Sequence, residues 1–112
     1  MTASAFLLSA LLPSDAFEVA GATRIGGLHG PEQHHHHCDH CCSWLFTRIE
    51  GMPEFVNLRA TMFDAPDWCV PFLETARDEA LPWVATPAIR SFGGLPPADL
   101  YPELMAEFAA HA

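Results

Sequence analysis

The chain contains no lysine, and its five arginines stand against fourteen carboxylates. The formal charge of −9 leaves no basic stripe with which to neutralise phosphates, which argues against a nucleic-acid partner. The same field would be repelled by an anionic membrane surface. A long hydrophobic run is missing too. The apolar stretch Ala5-Phe6-Leu7-Leu8-Ser9-Ala10-Leu11-Leu12 is too short to span a bilayer. No Lys or Arg precedes it, and Pro13-Ser14-Asp15 follows without a small-x-small cleavage site, so it reads as a buried strand rather than a secretory leader. Neither a Gly-x-Ser-x-Gly elbow nor a phosphate-binding glycine loop occurs, which removes the commonest nucleophilic and nucleotide-dependent chemistries. Cysteine is scarce. Of four, three crowd into Cys38, Cys41 and Cys42 while Cys69 stands apart, a spacing that suits metal or redox use in a reducing, cytoplasmic setting better than a disulfide framework.

What is present points to a packed, mainly β domain spanning residues 1–112. Half of the residues are apolar, and ten prolines interrupt any long helical pattern. Phe6 to Leu12 and Ala16 to Ala20 read as strands, and Arg24-Ile25 and Leu28-His29 as short pairing segments. Phe55 to Met62 alternates, with Val56, Leu58, Ala60 and Met62 on one face. Val70 to Thr75 reads as a further strand that Pro71 pushes toward an edge or a bulge. Leu81 to Pro87 is extended and irregular, with Trp83 as a core anchor. Leu100, Tyr101, Leu104, Met105 and Phe108 recur at helical spacing, with Asp99 as a cap and Pro102 in the first turn, which predicts an amphipathic C-terminal helix docked on the sheet.

The chemistry concentrates in His34-His35-His36-His37-Cys38-Asp39-His40-Cys41-Cys42-Ser43-Trp44, which holds five of the seven histidines. Two cysteines separated by two residues project their thiolates to one side of a tight turn, so Cys38 and Cys41 are the candidate metal ligands, with Zn²⁺ the expected ion. A structural zinc takes four ligands, and this pair supplies two. The flanking segments predict a strand–turn–strand hairpin. On a strand His34 and His36 face one way and His35 and His37 the other; a partly exposed polar strand is expected. Cys42 is expected on an extended exit strand as a buried small residue, Cys69 as a core thiol, and His40 as a solvated loop residue. His29 and His111 carry no distinguishing context. Glu74, Asp78 and Glu79 read as solvated surface. Arg48 and Arg59 are candidates for an anionic substrate carboxylate, against the commoner surface salt bridge.

The run Cys38-Asp39-His40-Cys41-x-Ser43-Trp44-Leu45-Phe46-Thr47-Arg48 followed by Phe55-Val56-Asn57-Leu58-Arg59-Ala60-Thr61-Met62 resembles the glutathione-dependent formaldehyde-activating enzyme family, which includes the centromere protein V domain. Thr2-Ala3-Ser4-Ala5-Phe6, Pro71 to Thr75, Leu81-Pro82-Trp83 and the segment from Ser91-Phe92 onward continue the similarity. The resemblance implies an Mss4-like twisted β-fold and a structural zinc held by an N-terminal Cys-x-Cys together with the Cys-x-x-Cys that Cys38 and Cys41 match. It also implies a second, catalytic zinc on a Cys-x-Cys-x-x-Cys cluster. The activity implied is that of a carbon–sulfur lyase joining formaldehyde to glutathione, with a small-molecule thiol or aldehyde as partner. Met1 stands where such members have just completed their catalytic cysteines, so the expectation for residues 1–112 is a catalytically incomplete member with half of one zinc site. The alternative is a non-catalytic zinc-knuckle module that binds a partner or forms a homodimer.

Overall fold

Alternating apolar residues drive the first part of the chain into one antiparallel sheet. In the computed structural model, which describes residues 4–27 and 30–111, five strands form in chain order: β1 (Ser9–Pro13), β2 (Thr23–Gly26), β3 (Gln33–Cys38), β4 (Trp44–Ile49) and β5 (Phe55–Arg59). Their order across the sheet is β1-β5-β4-β3-β2, every pair antiparallel. The expected pairing segment at Leu28-His29, with His29 itself, and residues Thr2-Ala3 of the family-like opening lie outside the described residues.

Register decides what each face carries. Ala10 opposes Leu58, Leu58 opposes Phe46, Phe46 opposes His36, and His36 opposes Ile25, giving one row across the sheet. Phe46, Val56 and Leu58 form the buried core of this unit, with Leu12, Phe17, Leu45 and Phe63 packed on it. Val56 is 1% exposed, and full burial of a valine stabilises by roughly 1.5–3 kcal/mol. The adjacent row sets Leu11, Asn57, Thr47, His35 and Gly26 side by side.

Several expectations change. The first strand begins at Ser9, not Phe6, and it is not buried: Phe6 and Leu7 are exposed. As an edge strand it packs one face only, and an edge tolerates Pro13, which has no N–H for the ladder. Ala16 to Ala20 forms no strand. Ser14–Ala16 is instead a 3₁₀ turn, fixed by Ser14 donating its N–H to the Glu54 carbonyl (2.8 Å) and its hydroxyl to the Pro53 carbonyl (2.7 Å). The alternation from Phe55 holds through Val56, Leu58 and Ala60, all buried. Beyond Arg59 the backbone winds into a 3₁₀ turn over Ala60–Met62, which takes Met62 off the buried face.

The chain divides into two units, Met1–Pro66 and Asp67–Ala112. In the second, the expected strand from Val70 shrinks to β6 (Leu73–Glu74), which pairs in parallel with β7 (Arg90–Ser91). Pro71 cannot donate to a ladder, so pairing starts only after it. Glu74, expected to be solvated, is half-buried and accepts a hydrogen bond from Thr86 Oγ1 at 2.9 Å. Trp83 is 72% exposed rather than a core anchor; the buried side chain of that segment is Val84. The helix α1 (Tyr101–His111) follows a 3₁₀ turn over Ala98–Leu100 that contains Asp99. Pro102 sits in its first turn, where a missing N–H costs nothing. Leu104 is buried, Phe108 meets Phe72 edge-on at 5.5 Å, and Glu107 accepts from Arg90 at 2.6 Å. Among the described residues no helix is long and apolar enough to cross a membrane.

Candidate metal centre

The turn between β3 and β4 arises because the backbone reverses over four residues and its N–H groups converge on a sulfur. The Cys38 N–H donates to the Ser43 carbonyl (2.8 Å), and the Cys42 N–H donates to the Cys38 carbonyl (2.9 Å), which closes the loop. Inside it, the N–H groups of His40 and Cys41 approach Cys38 Sγ at 3.4 and 3.5 Å. Cys41 Sγ lies 3.3 Å from Ser43 Oγ. The Ser43 hydroxyl, followed by the Ser43 backbone and by Cys38, lowers the Cys41 thiol to a pKa of about 7. Both candidate ligands are therefore on the same tight turn, Cys38 partly covered and Cys41 exposed, and all four cysteines are free thiols.

Cys42 is not where an extended exit strand would put it. Its φ is +64°, and its side chain is exposed. Reversing the chain directly after Cys41 needs one left-handed residue, and that steric demand falls on Cys42. It borders a cleft with Arg24, Ile25, Gly26, Gly27 and His37.

His34, His36 and His37 are half-buried, as a partly exposed strand should be, and His35 departs from it. His35 is 3% exposed, and its Nδ1 lies 2.7 Å from Thr47 Oγ1, which also accepts from Trp44 Nε1–H at 2.9 Å. Gly27 closes over this ring: its φ is +99°, and a Cβ there would stand 2.9 Å from His35 Cδ2. His36 stacks on Phe46 with centroids 4.4 Å apart and bonds through Nδ1 with Thr23 Oγ1 at 2.9 Å. Burial, then the charges of Arg48, His34 and His37, lower its pKa. The two rings lie on opposite faces, and a bulge between His36 and His37 interrupts the alternation just before the turn. Packing on both sides, with a glycine and a threonine on one and a phenylalanine on the other, is what removes these side chains from solvent. Sequence alternation predicted the opposition of His35 and His36 but not the burial of His35. His40 is exposed, as expected of a loop residue.

Of the two arginines considered for an anion, Arg48 makes no surface salt bridge with any described residue. It donates to Ser14 Oγ at 3.2 Å and lies over the rings of Phe17 and Phe46 at 5.6 and 5.9 Å. Arg59 donates through Nε to Thr61 Oγ1 at 3.1 Å. Cys69 is half-buried, and burial raises its thiol pKa. His111 is exposed, its ring 5.9 Å from that of Phe72.

Searches of protein-family models, curated proteins and solved structures return no match. The metal reading thus rests on the donor set itself. Cys38 and Cys41 fit zinc in ligand type and in their shared, N–H-supported turn, but they are two ligands where zinc takes four. Among the described residues no group of three or more His, Cys, Asp or Glu side chains is placed to share an ion. The buried and stacked histidines cannot supply the missing pair without leaving their partners.

Proposed function

We propose that this chain is a zinc-binding protein of the formaldehyde-activating enzyme and centromere protein V type, with an Mss4-like sheet, in which Cys38 and Cys41 hold a structural metal. The observation that carries the reading is the turn at Cys38–Ser43, where two backbone N–H groups point at Cys38 Sγ and the thiol of Cys41 is lowered toward neutrality. A turn of this kind brings two cysteine sulfurs together for a cation, and three thiols within five residues suit a reducing, cytoplasmic setting. Zinc bound here would cross-link the end of β3 to the start of β4. Among the residues that would organise it, Ser43 orients Cys41, and the main chain of residues 40 and 41 orients Cys38. The carbon–sulfur lyase chemistry on glutathione and formaldehyde belongs to the resemblance; residues 1–112 carry no Cys-x-Cys-x-x-Cys cluster to perform it.

A second reading, a zinc-knuckle module that dimerises, is favoured by the ligand count, since two chains each offering two thiolates would complete one tetrahedral site. Metal analysis of purified, untagged protein separates the two. About one zinc per chain supports a site completed within each chain; about one per two chains, with a dimer that dissociates on chelation, supports the shared site. Cobalt substitution should give thiolate-to-metal charge-transfer absorption that disappears in Cys38→Ser. Zinc retained in Cys38→Ser and Cys41→Ser alike would overturn the proposal.

A further inference from the structure

The antiparallel register brings the end of β5 together with the starts of β1 and β4, because Ser9 opposes Arg59 and β4 runs against β5 on its other side. The segment before β1 is drawn across this end by a hydrogen bond from the Ala60 N–H to the Leu8 carbonyl at 3.2 Å. The result is an open cleft of about 410 Å³ whose walls include Phe6, Leu7, Ser43, Trp44, Arg59 and Thr61. Its size falls within the range of small-molecule sites, roughly 300–1,000 Å³.

Charge singles out one of these residues. Acids outnumber bases by fourteen to five, and three of the five arginines are matched to carboxylates: Arg24 to Asp39 (3.0 Å), Arg77 to Glu74 (3.7 Å) and Arg90 to Glu107 (2.6 Å). Arg48 lies over two aromatic rings. Arg24 borders a cleft too but is matched to Asp39, whereas Arg59 borders its cleft held by Nε to Thr61 Oγ1, with no acid partner among the described residues. In so acidic a chain, a half-buried arginine left without a carboxylate is a position for an anion from outside.

We propose that the cleft binds a small monocarboxylate with a short apolar body. The carboxylate would take the guanidinium edge of Arg59 in the planar, two-point fashion that arginine offers, with the Thr61 hydroxyl as a further donor. The apolar body would cover Phe6 and Leu7, which are 50% and 38% exposed, and reach the edge of Trp44. One guanidinium balances one negative charge, which favours a carboxylate over a phosphate dianion. Arg59 and Thr61, which take the carboxylate, are no part of the knuckle, so the site stands or falls separately from metal there.

Phenylacetate tests this, with phenylacetamide as its neutral counterpart of equal shape and inorganic phosphate as the anion without an apolar body. In ¹⁵N–¹H spectra of the whole chain, phenylacetate should shift the Trp44 indole N–H and the amides of Ser43 and Thr61. It should bind about tenfold or more tightly than phenylacetamide, the ratio expected for a charge-assisted hydrogen-bonded pair. Arg59→Gln should weaken phenylacetate about tenfold to a hundredfold. Arg59→Lys, which keeps the charge and loses the fork, should fall between. Arg24→Gln, at the opposite edge of the sheet, removes the same charge and should leave affinity unchanged. Equal binding of acid and amide, shifts confined to other residues, unchanged affinity in a folded Arg59→Gln variant, or tighter binding of phosphate would each overturn the proposal.

Discussion

Replacing Thr47 with valine removes one oxygen and keeps the shape of the side chain. In the folded chain that oxygen accepts from Trp44 Nε1–H at 2.9 Å and lies 2.7 Å from His35 Nδ1, and all three residues are buried, at 4%, 3% and 3% exposed. An indole N–H can only donate, so in the variant Trp44 has lost its acceptor while remaining out of water. A buried polar group deprived of its partner costs about 1–3 kcal/mol, and two groups lose a bond here, so the variant should be less stable by about 2–6 kcal/mol. That is a large part of the stability of a small domain, about 5–15 kcal/mol. Urea unfolding followed by tryptophan fluorescence measures it. With a slope of about 1–3 kcal/mol per molar, the midpoint should fall by on the order of 1–2 M at unchanged slope. Thr47→Ser keeps the hydroxyl and removes one methyl, and should lose only about 1 kcal/mol. If the valine variant lies within about 0.5 kcal/mol of the parent, or the serine variant is the worse of the two, the hydroxyl is not the centre of this network and the reasoning fails.

Cys41, lowered to about 7, should be mostly thiolate at pH 7.5 and alkylate with iodoacetamide faster than Cys69, whose thiol burial pushes upward. Since the Ser43 hydroxyl is the largest cause, Ser43→Ala should move the midpoint of the Cys41 rate–pH profile to higher pH, read by mass spectrometry of the labelled peptide; an unmoved midpoint would remove Ser43 from this role. Gly27→Ala should destabilise more than Gly21→Ala. Both positions have positive φ, but a Cβ at Gly27 would meet the His35 ring at 2.9 Å while Gly21 faces open space. A left-handed residue alone costs about 1 kcal/mol; thermal unfolding should place the Gly27 variant several degrees below the Gly21 one, and equal midpoints would show that the ring gives way freely.

Composition, spacing and alternation determined the β character, the hairpin around Cys38 and Cys41, the buried face of Val56, Leu58 and Ala60, and the C-terminal helix. Each of these is a local property: period-two patterning, a turn two residues long between thiols, and helical recurrence are carried by neighbours in sequence. The positions of proline bounded the rest, although Pro71 shortened its strand more than an edge placement alone implies. What the sequence could not fix were the properties that depend on which strands become neighbours. Placing β3 between β4 and β2 is what buries His35 between Thr47 and Gly27 and stacks His36 on Phe46, so within a run that reads as a partly exposed polar strand one histidine became core. The same pairing of β1 with β5 set Arg59 against Phe6 and Leu7 in one cleft, across about fifty residues of chain. Side-chain burial and charge pairing are sums over partners distant in sequence, and only the tertiary structure decides who those partners are.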